Sequence, residues 1–269
     1  MKKFFKCFLI LLALLFCNFQ YSHASLEDDA TQILGYTFNN DLNNAEYLTQ
    51  QFITKYPNSS DGYYLQGLIQ HHKGNVINAF NLYTKSILVN NFSSFSKGNA
   101  YMNRGIIFWD NKKDKTSALK DYDNAIKFFT SDSTIYNDIY RAYVQRGELK
   151  TEMNSPVSAQ ADLEKSLSYN IQDKKAYGEP MAYLSKALYM QGKYKESMDY
   201  AVKAENLLGI GSDYPSITAQ VYVAKSAYAL KNYELAKSSA QMTKLMLDSS
   251  GMKSQYQLYY TEVLKIINF

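Results

Sequence analysis

The chain is 269 residues long (30.8 kDa), with 29 lysines and arginines against 25 aspartates and glutamates, two cysteines and 25 tyrosines. Both cysteines and three of the lysines fall within the first 24 residues, so the remaining 245 carry 29 − 3 = 26 basic groups against 25 acidic ones and no thiol. That balance excludes a disulfide framework, a thiol nucleophile and a cysteine metal site in the body of the chain. It also offers no basic excess for nucleic acid or a bulk membrane surface.

The first element reads as a targeting sequence. Lys2, Lys3 and Lys6 precede an unbroken apolar run from Cys7 to Cys17, and Ser22-His23-Ala24 places small residues at −3 and −1 for a cut before Ser25. This is the order of a secretory signal, so residues 1–24 are expected to be a cleaved signal peptide. The run of eleven apolar residues is too short for a bilayer span, which takes about 20. Cleavage before a lipidated Cys17 is disfavoured by Phe16, where such sites carry a small residue. The expected location is the periplasm, with secretion as the alternative.

From Ser25 onward apolar residues recur at helical spacing, and no stretch alternates as a strand would. Small residues mark a repeat: Ala45, Ala79, Ala118, Ala159, Ser197 and Ala236, separated by 34, 39, 41, 38 and 39 residues. "GNVINAFNLYTKSI" (Gly74 to Ile87), "GKYKESMDYAVKA" (Gly192 to Ala204) and "KNYELAKSSAQMT" (Lys231 to Thr243) share a turn residue, an apolar or tyrosyl residue two later and a small one three after that. Upstream, "YYLQGLI", "AYMNRGIIF" and "AYVQRGELK" each set an aromatic four residues before a glycine, at Gly67, Gly105 and Gly147.

These marks resemble the tetratricopeptide repeat (TPR) family, which has small residues at the eighth, twentieth and twenty-seventh positions and aromatics at the fourth and twenty-fourth. "AYMNRG…ALKDYDNAI" is a close match, and six copies cover nearly all of residues 25–269. The resemblance implies an all-α, right-handed α-solenoid of about six helix hairpins. The repeats would span about 26–57, 61–94, 98–131, 135–172, 178–210 and 216–248, with a capping helix over 253–269. Only the first gap equals the family's period of 34; the others imply extended second helices or longer connections. Close approach of two helices requires small side chains, so Gly105 is expected to face Ala118, Ala125 to leave room for the next repeat, and Tyr122 to fill the space between. A lone hairpin cannot bury its apolar face; stacked neighbours can. Arg104 and Arg146 stand at the usually apolar seventh position of the third and fourth repeats, the same two that carry Asp121 and Asp162 at the twenty-third. Two structural ion pairs crossing those hairpins are expected, Arg104 with Asp121 and Arg146 with Asp162.

Motifs for chemistry are weak. His71 and His72 are adjacent, about 100° apart on a helix, with no ligand-spaced carboxylate or histidine beside them. Gly209-Ile210-Gly211-Ser212 lacks the Lys-Ser/Thr ending of a phosphate loop and reads as a connection stopped by Pro215. No nucleophile elbow is present. Asn58-Ser59-Ser60 and Asn91-Phe92-Ser93 match glycosylation sequons. No catalytic residue, metal or cofactor is expected, and the protein is expected not to be an enzyme.

In TPR arrays the first helix of each pair turns its second, fifth, ninth and twelfth positions to the concave face. On this sequence the ninth and twelfth positions are Leu68 and His71, Ile106 and Trp109, Glu148 and Thr151, Lys186 and Tyr189, and Lys225 and Tyr228. Aromatics dominate interface energetics, so Trp109, Tyr189 and Tyr228 would anchor a peptide or protein segment, with Arg141, Lys186 and Lys225 orienting it. The carboxylate clamp of chaperone-binding TPR proteins is incomplete: Asn103 and Arg141 match, but Tyr64, Leu68 and Gln145 replace its other residues. The segment "AEYLTQQFITKYPNSSDGYYLQG" (Ala45 to Gly67) looks like the opening repeats of outer-membrane assembly lipoproteins and related periplasmic adaptors. Two functions are compatible with this reading: a non-catalytic scaffold of the bacterial cell envelope that binds a peptide or protein segment in its groove, or a secreted TPR factor that binds a host or cell-surface protein or glycan.

Overall fold

The computed structural model describes residues 26–90, 93–131, 136–209, 211, 213–249, 251, 253–254 and 256–269. Residues 1–25, with the expected signal peptide and its Cys7, Cys17 and His23, lie outside the described residues, as do Asn91, Phe92, Ile210 and Ser212. The chain divides into two units, the first ending at Lys113 and the second running from Asp114 to Phe269.

Unit 1 holds α1 (residues 26–38), α2 (Leu42–Lys55), α3 (Ser60–His72), α4 (Val76–Leu88) and α5 (Ser94–Asp110). Unit 2 holds α6 (Lys115–Thr130), α7 (Tyr136–Glu152), α8 (Pro156–Leu167), a 3₁₀ turn (Lys174–Tyr177), α9 (Gly178–Met190), α10 (Tyr194–Leu208), α11 (Tyr214–Ala229), α12 (Tyr233–Ser249) and α13 (Gln257–Ile267). The class is the all-α one of TPR arrays. From α2 to α5 in unit 1 and from α6 to α13 in unit 2, each helix packs on its sequence neighbour, as in α3/α4, α7/α8, α9/α10 and α11/α12. Alternate helices also touch: α3 with α5 in unit 1, and α7 with α9, α9 with α11 and α11 with α13 in unit 2. Within each unit, that second set of contacts lays the first helices of successive hairpins side by side.

Ala45, Ala79, Ala118, Ala159, Ser197 and Ala236 are all 0% exposed. Five residues before each of them the backbone enters the left-handed region, at Asn40, Gly74, Lys113, Asn154, Gly192 and Lys231. Around Gly192 the bonds are Gly192 N–H to the Tyr189 carbonyl (2.9 Å) and Lys193 N–H to the Leu188 carbonyl (3.0 Å). The same pair of bonds closes the turns at Asn40, Gly74, Asn154 and Lys231. This is the Schellman closure, which satisfies the last carbonyls of one helix while reversing the chain into the next. Side chains cap several starts: Asp41, Ser59, Ser93, Asp114 and Asp213 accept from backbone N–H groups in the first turns of α2, α3, α5, α6 and α11. Pro215 sits in the first turn of α11, so it opens that helix rather than merely ending the loop before it.

The longer period has two sources. The helices of the third hairpin are longer than those of the second, 17 and 16 residues in α5 and α6 against 13 in α3 and α4. The stretch between α8 and α9 adds the 3₁₀ turn, over which Tyr177 donates to the Tyr169 carbonyl (2.6 Å).

The unit 1 core includes Ile33, Phe52, Leu65, Ile69, Tyr83 and Ile107 with their neighbours. Gly67 is where α3 meets α4: a Cβ there would stand 2.8 Å from two ring carbons of the fully buried Tyr83. Gly67→Ala is therefore expected to destabilise unit 1 by about 2 kcal/mol, because overpacking outweighs the roughly 1 kcal/mol that alanine gains in a helix. A urea melt of the variant at or above the wild-type midpoint would contradict that packing. At the start of α5, Asp61 collects the hydroxyls of Ser59, Ser93 (2.6 Å) and Ser96, which ties α5 to α3. Ser59 and Ser60 of the first sequon are buried in this arrangement.

In unit 2 the core follows the hairpins. Val144, Leu163, Leu184 and Leu188 fill α7 to α9, and Ile217, Val221, Leu247 and Val263 fill α11 to α13. Gly147 lets α7 approach α8, since a Cβ would fall 2.7 Å from Cγ of Leu163. The helix α13 covers the last hairpin with Tyr259, Tyr260, Val263 and Ile266 and leaves Leu258 exposed.

Candidate partner-binding face

The first helices present different surfaces in the two units. In unit 1, Tyr64, Leu68 and Asn103, placed by column on an open face, are 3%, 7% and 8% exposed. The reason is the tight pairing of α3 with α5. Phe95 stands edge-on to Tyr64 at 5.9 Å, and Tyr83 packs on its other side at 6.3 Å. These three side chains are core, not contact surface. His71 is half-buried, with Nδ1 3.4 Å from the Tyr83 hydroxyl, and burial lowers its pKa. His72 is exposed and meets the edge of Phe38 instead, so the two imidazoles face different neighbours. Trp109, expected to be open to solvent, is half-buried.

Arg104 lies on α5 in unit 1, where it donates to Thr84 Oγ1 (3.3 Å) and lies over the rings of Tyr101 and Phe108. Asp121, 3% exposed, lies on α6 in unit 2, and Gly105 and Ala118 are likewise divided between the units. Within unit 2, Arg146 grips Asp162 with two nitrogens, Nε at 2.8 Å and Nη2 at 2.5 Å. Two partners not evident in the sequence complete this network. Lys150 reaches the same carboxylate at 2.7 Å, and Asp123 accepts from Arg146 Nη1 at 2.7 Å. Burial alone would lower the pKa of the guanidinium; the hydrogen bonds and charges of Asp162 and Asp123 hold it above its ordinary value.

The other expected contact residues of unit 2 line up on α7, α9 and α11. Arg141 is exposed, and Lys186, Tyr189, Lys225 and Tyr228 are half-buried. Both lysines already have carboxylate partners: Lys186 with Glu152, and Lys225 with Glu262 at 2.7 Å. Lys225 also lies over the rings of Tyr189 (4.7 Å) and Tyr222 (5.0 Å). Their charge is spent holding neighbouring helices in register. Thr151, in the same inward columns, is buried.

Between these pairs runs a series of tyrosines that the column pattern alone did not single out. Tyr183 packs on Tyr214 (6.0 Å), and Tyr214 stacks on both Tyr256 (5.4 Å) and Tyr259 (6.0 Å). Tyr259 meets Tyr222 edge-on, and Tyr222 meets Tyr189. The hydroxyls of Tyr214 and Tyr259 lie 3.2 Å apart. Burial, with nearby acidic and phenolic groups, raises the pKa of Tyr183, Tyr214 and Tyr222, so these hydroxyls stay protonated.

At one end of the series are two acids. Glu148, 9% exposed on α7, has its pKa pushed up to about 8 by burial first and by the Glu179 carboxylate second. Glu179 on α9 is also raised, by burial. Glu148 occupies an inward ninth position and Glu179 an inward second position, so the repeat pattern held the signal that would have found them.

Among the described residues no group of three metal-ligating side chains comes together, and no helix is long and apolar enough to cross a membrane. No family model and no curated protein matches the sequence. Similar solved structures do exist. The Pseudomonas aeruginosa PilF structure shares 17% identity at a TM-score of 0.64, covering 89% of this chain and 96% of that one. PilW, described as a widely conserved type IV pilus biogenesis factor, shares 14% at 0.61, covering 90% and 98%. YrrB, described as a TPR protein with an unusual peptide-binding site, shares 14% at 0.56, covering 79% and 96%. With helix hairpins closing on small residues and first helices laid side by side, the chain has the fold of the tetratricopeptide repeat proteins.

Proposed function

We propose that the protein is a non-catalytic adaptor of the bacterial cell envelope, holding an extended or helical segment of a partner protein against the first helices of its hairpins. The observation that carries this reading is the tyrosine series of unit 2. Half-buried rings at Tyr189, Tyr214 and Tyr228 offer broad, rigid contact area beside hydroxyls that donate and accept. Such a surface suits a peptide segment better than a reacting small molecule. The peptide-binding site named for YrrB and the pilus biogenesis role named for PilW agree with a partner-holding role in the envelope. The secretory reading of residues 1–24 supports the location.

The test is affinity capture from a solubilised envelope fraction, comparing wild type with Tyr189→Ala/Tyr228→Ala. Wild type is expected to retain a discrete partner, and the variant, still helical by circular dichroism, to lose most of it. Truncating an interface tyrosine costs about 2 kcal/mol, so binding should weaken at least tenfold. Equal recovery of the same partner by both proteins would remove the face from the account. Recovery of the protein in culture medium rather than in the periplasm would favour the secreted alternative.

A further inference from the structure

Within each unit the first helix of a hairpin packs on the second helix of the hairpin before it, and the same columns make the contact. At the seventh position, Arg104 donates to Thr84 of α4 (3.3 Å) and Arg146 to Asp123 of α6 (2.7 Å). At the tenth, the Ser226 hydroxyl meets that of Ser197 on α10 (2.8 Å). The first hairpin has no such neighbour among the described residues. Its seventh and tenth residues, Gln32 and Gly35 of α1, are both exposed. A cleft of about 130 Å³ opens beside Gln32, between α1 and α2. Ile33, Leu48 and Phe52 give it an apolar floor, Gln32 and Gln51 line its rim, and the Asp29–Lys55 ion pair (2.8 Å) stands at one end. Neither glutamine amide is hydrogen-bonded among the described residues.

Gly35 points the same way. A glycine inside a helix weakens it, and elsewhere in this chain that weakness has a visible reason. A Cβ at Gly62 would stand 2.9 Å from Ile53 of the preceding helix α2, and at Gly67 and Gly147 it would meet Tyr83 at 2.8 Å and Leu163 at 2.7 Å. A Cβ at Gly35 would meet nothing within 4 Å. Residues three apart share a helix face, so Gly35 continues the surface on which Gln32 borders the cleft. We propose that this side of the first hairpin docks one amphipathic helix of a partner protein, which lies along Gln32 and Gly35 as α4 lies along α5 and α6 along α7. The guest sets a single side chain the size of leucine, methionine or phenylalanine into the cleft. The volume suits one such group, since a cavity of about 150 Å³ holds a benzene ring. Gln32 and Gln51 offer donors and acceptors to the polar residues beside it, and Gly35 lets the guest backbone close in. A second copy stacked head to tail has no free second helix to offer, because α13 already packs on α12. The surface belongs to unit 1 and does not depend on the tyrosine face of unit 2.

The experiment is selection, on the full chain, of displayed alanine-rich helices as long as α6 (16 residues) and randomised along one face. It is repeated with Gly35→Gln and with Ile77→Gln, the latter altering an exposed residue of α4. Both variants are expected to melt no lower than wild type: Gly35 has room for a side chain, and glutamine is the better helix former in both places. Helices retained by wild type and by Ile77→Gln are expected to converge on one large apolar residue among polar ones, and to bind Gly35→Gln at least tenfold more weakly. Replacing that apolar residue by alanine should weaken the peptide by a similar factor. Equal binding to Gly35→Gln, or no retained helix, would overturn the proposal. A concentration-dependent dimer that Gly35→Gln dissolves in sedimentation would overturn it in favour of a second copy. Helices retained only after a cut before Ser25 would overturn it in favour of residues 1–24.

Discussion

Asp162→Ala is expected to lower the stability of unit 2 by about 3 kcal/mol, more than any other change in its ion-pair network. The carboxylate is 6% exposed and neutralises two cations at once, Arg146 through two nitrogens and Lys150 through its ammonium. Removing it leaves both cations side by side between α7 and α8, with only the exposed Asp123 left to offset their repulsion. Arg146→Ala should cost less, about 2 kcal/mol, because Lys150 still neutralises Asp162. Asp123→Ala should cost less than about 1 kcal/mol, since that side chain is 56% exposed and its charge is screened by water. Urea midpoints of the three variants test the order. If Asp123→Ala equals or exceeds Asp162→Ala, the pair is not organised around the buried aspartate.

The parts of this molecule that were legible in the sequence are those set by local backbone geometry. A helix hairpin closes only where a side chain is small, so the series from Ala45 to Ala236 announced the fold, and every member is fully buried. The turn that precedes each member was half hidden. Gly74 and Gly192 signal the left-handed residue, but Asn40, Lys113, Asn154 and Lys231 adopt the same conformation without a glycine to mark it. Here the hydrogen-bonded helix end fixes the backbone and tolerates a strained residue. Assigning side chains to faces was less reliable, because a column states where a residue points and not what comes to meet it. Tyr64 stands in an inward column, but Phe95 of α5 packs edge-on against it and it is buried. Lys186 and Lys225 point inward, but Glu152 and Glu262, one hairpin away on either side, reach them first. Glu148 stands in an inward column, but its raised pKa comes from burial and from Glu179, on the helix α9 that packs on α7.

Glu148→Gln should make the protein more stable at pH 8.5 and change it little at pH 5. In the unfolded chain a glutamate titrates near its ordinary pKa of about 4.3. In the folded protein burial and the neighbouring Glu179 carboxylate push the value up to about 8. The folded state therefore holds this proton more tightly. Its contribution to stability is fully present below the unfolded value, declines between about pH 4.3 and 8, and is lost once pH passes the folded value. The loss between pH 5 and pH 8 is on the order of 3 kcal/mol, at about 1.4 kcal/mol for each unit of separation. Glutamine matches the protonated side chain in size and polarity and has no charge to desolvate, so it escapes the decline. Glu179 is raised in the same direction and keeps its own share of the slope in the variant. The measurement is a pair of thermal melts, wild type and Glu148→Gln, at half-unit steps from pH 5 to pH 8.5. The curves should coincide near pH 5 and part steadily above it, with the variant ahead by roughly 5–10 °C at the alkaline end. Parallel curves would mean that the carboxyl titrates in water. In that case Glu148 does not bear the cost of burial.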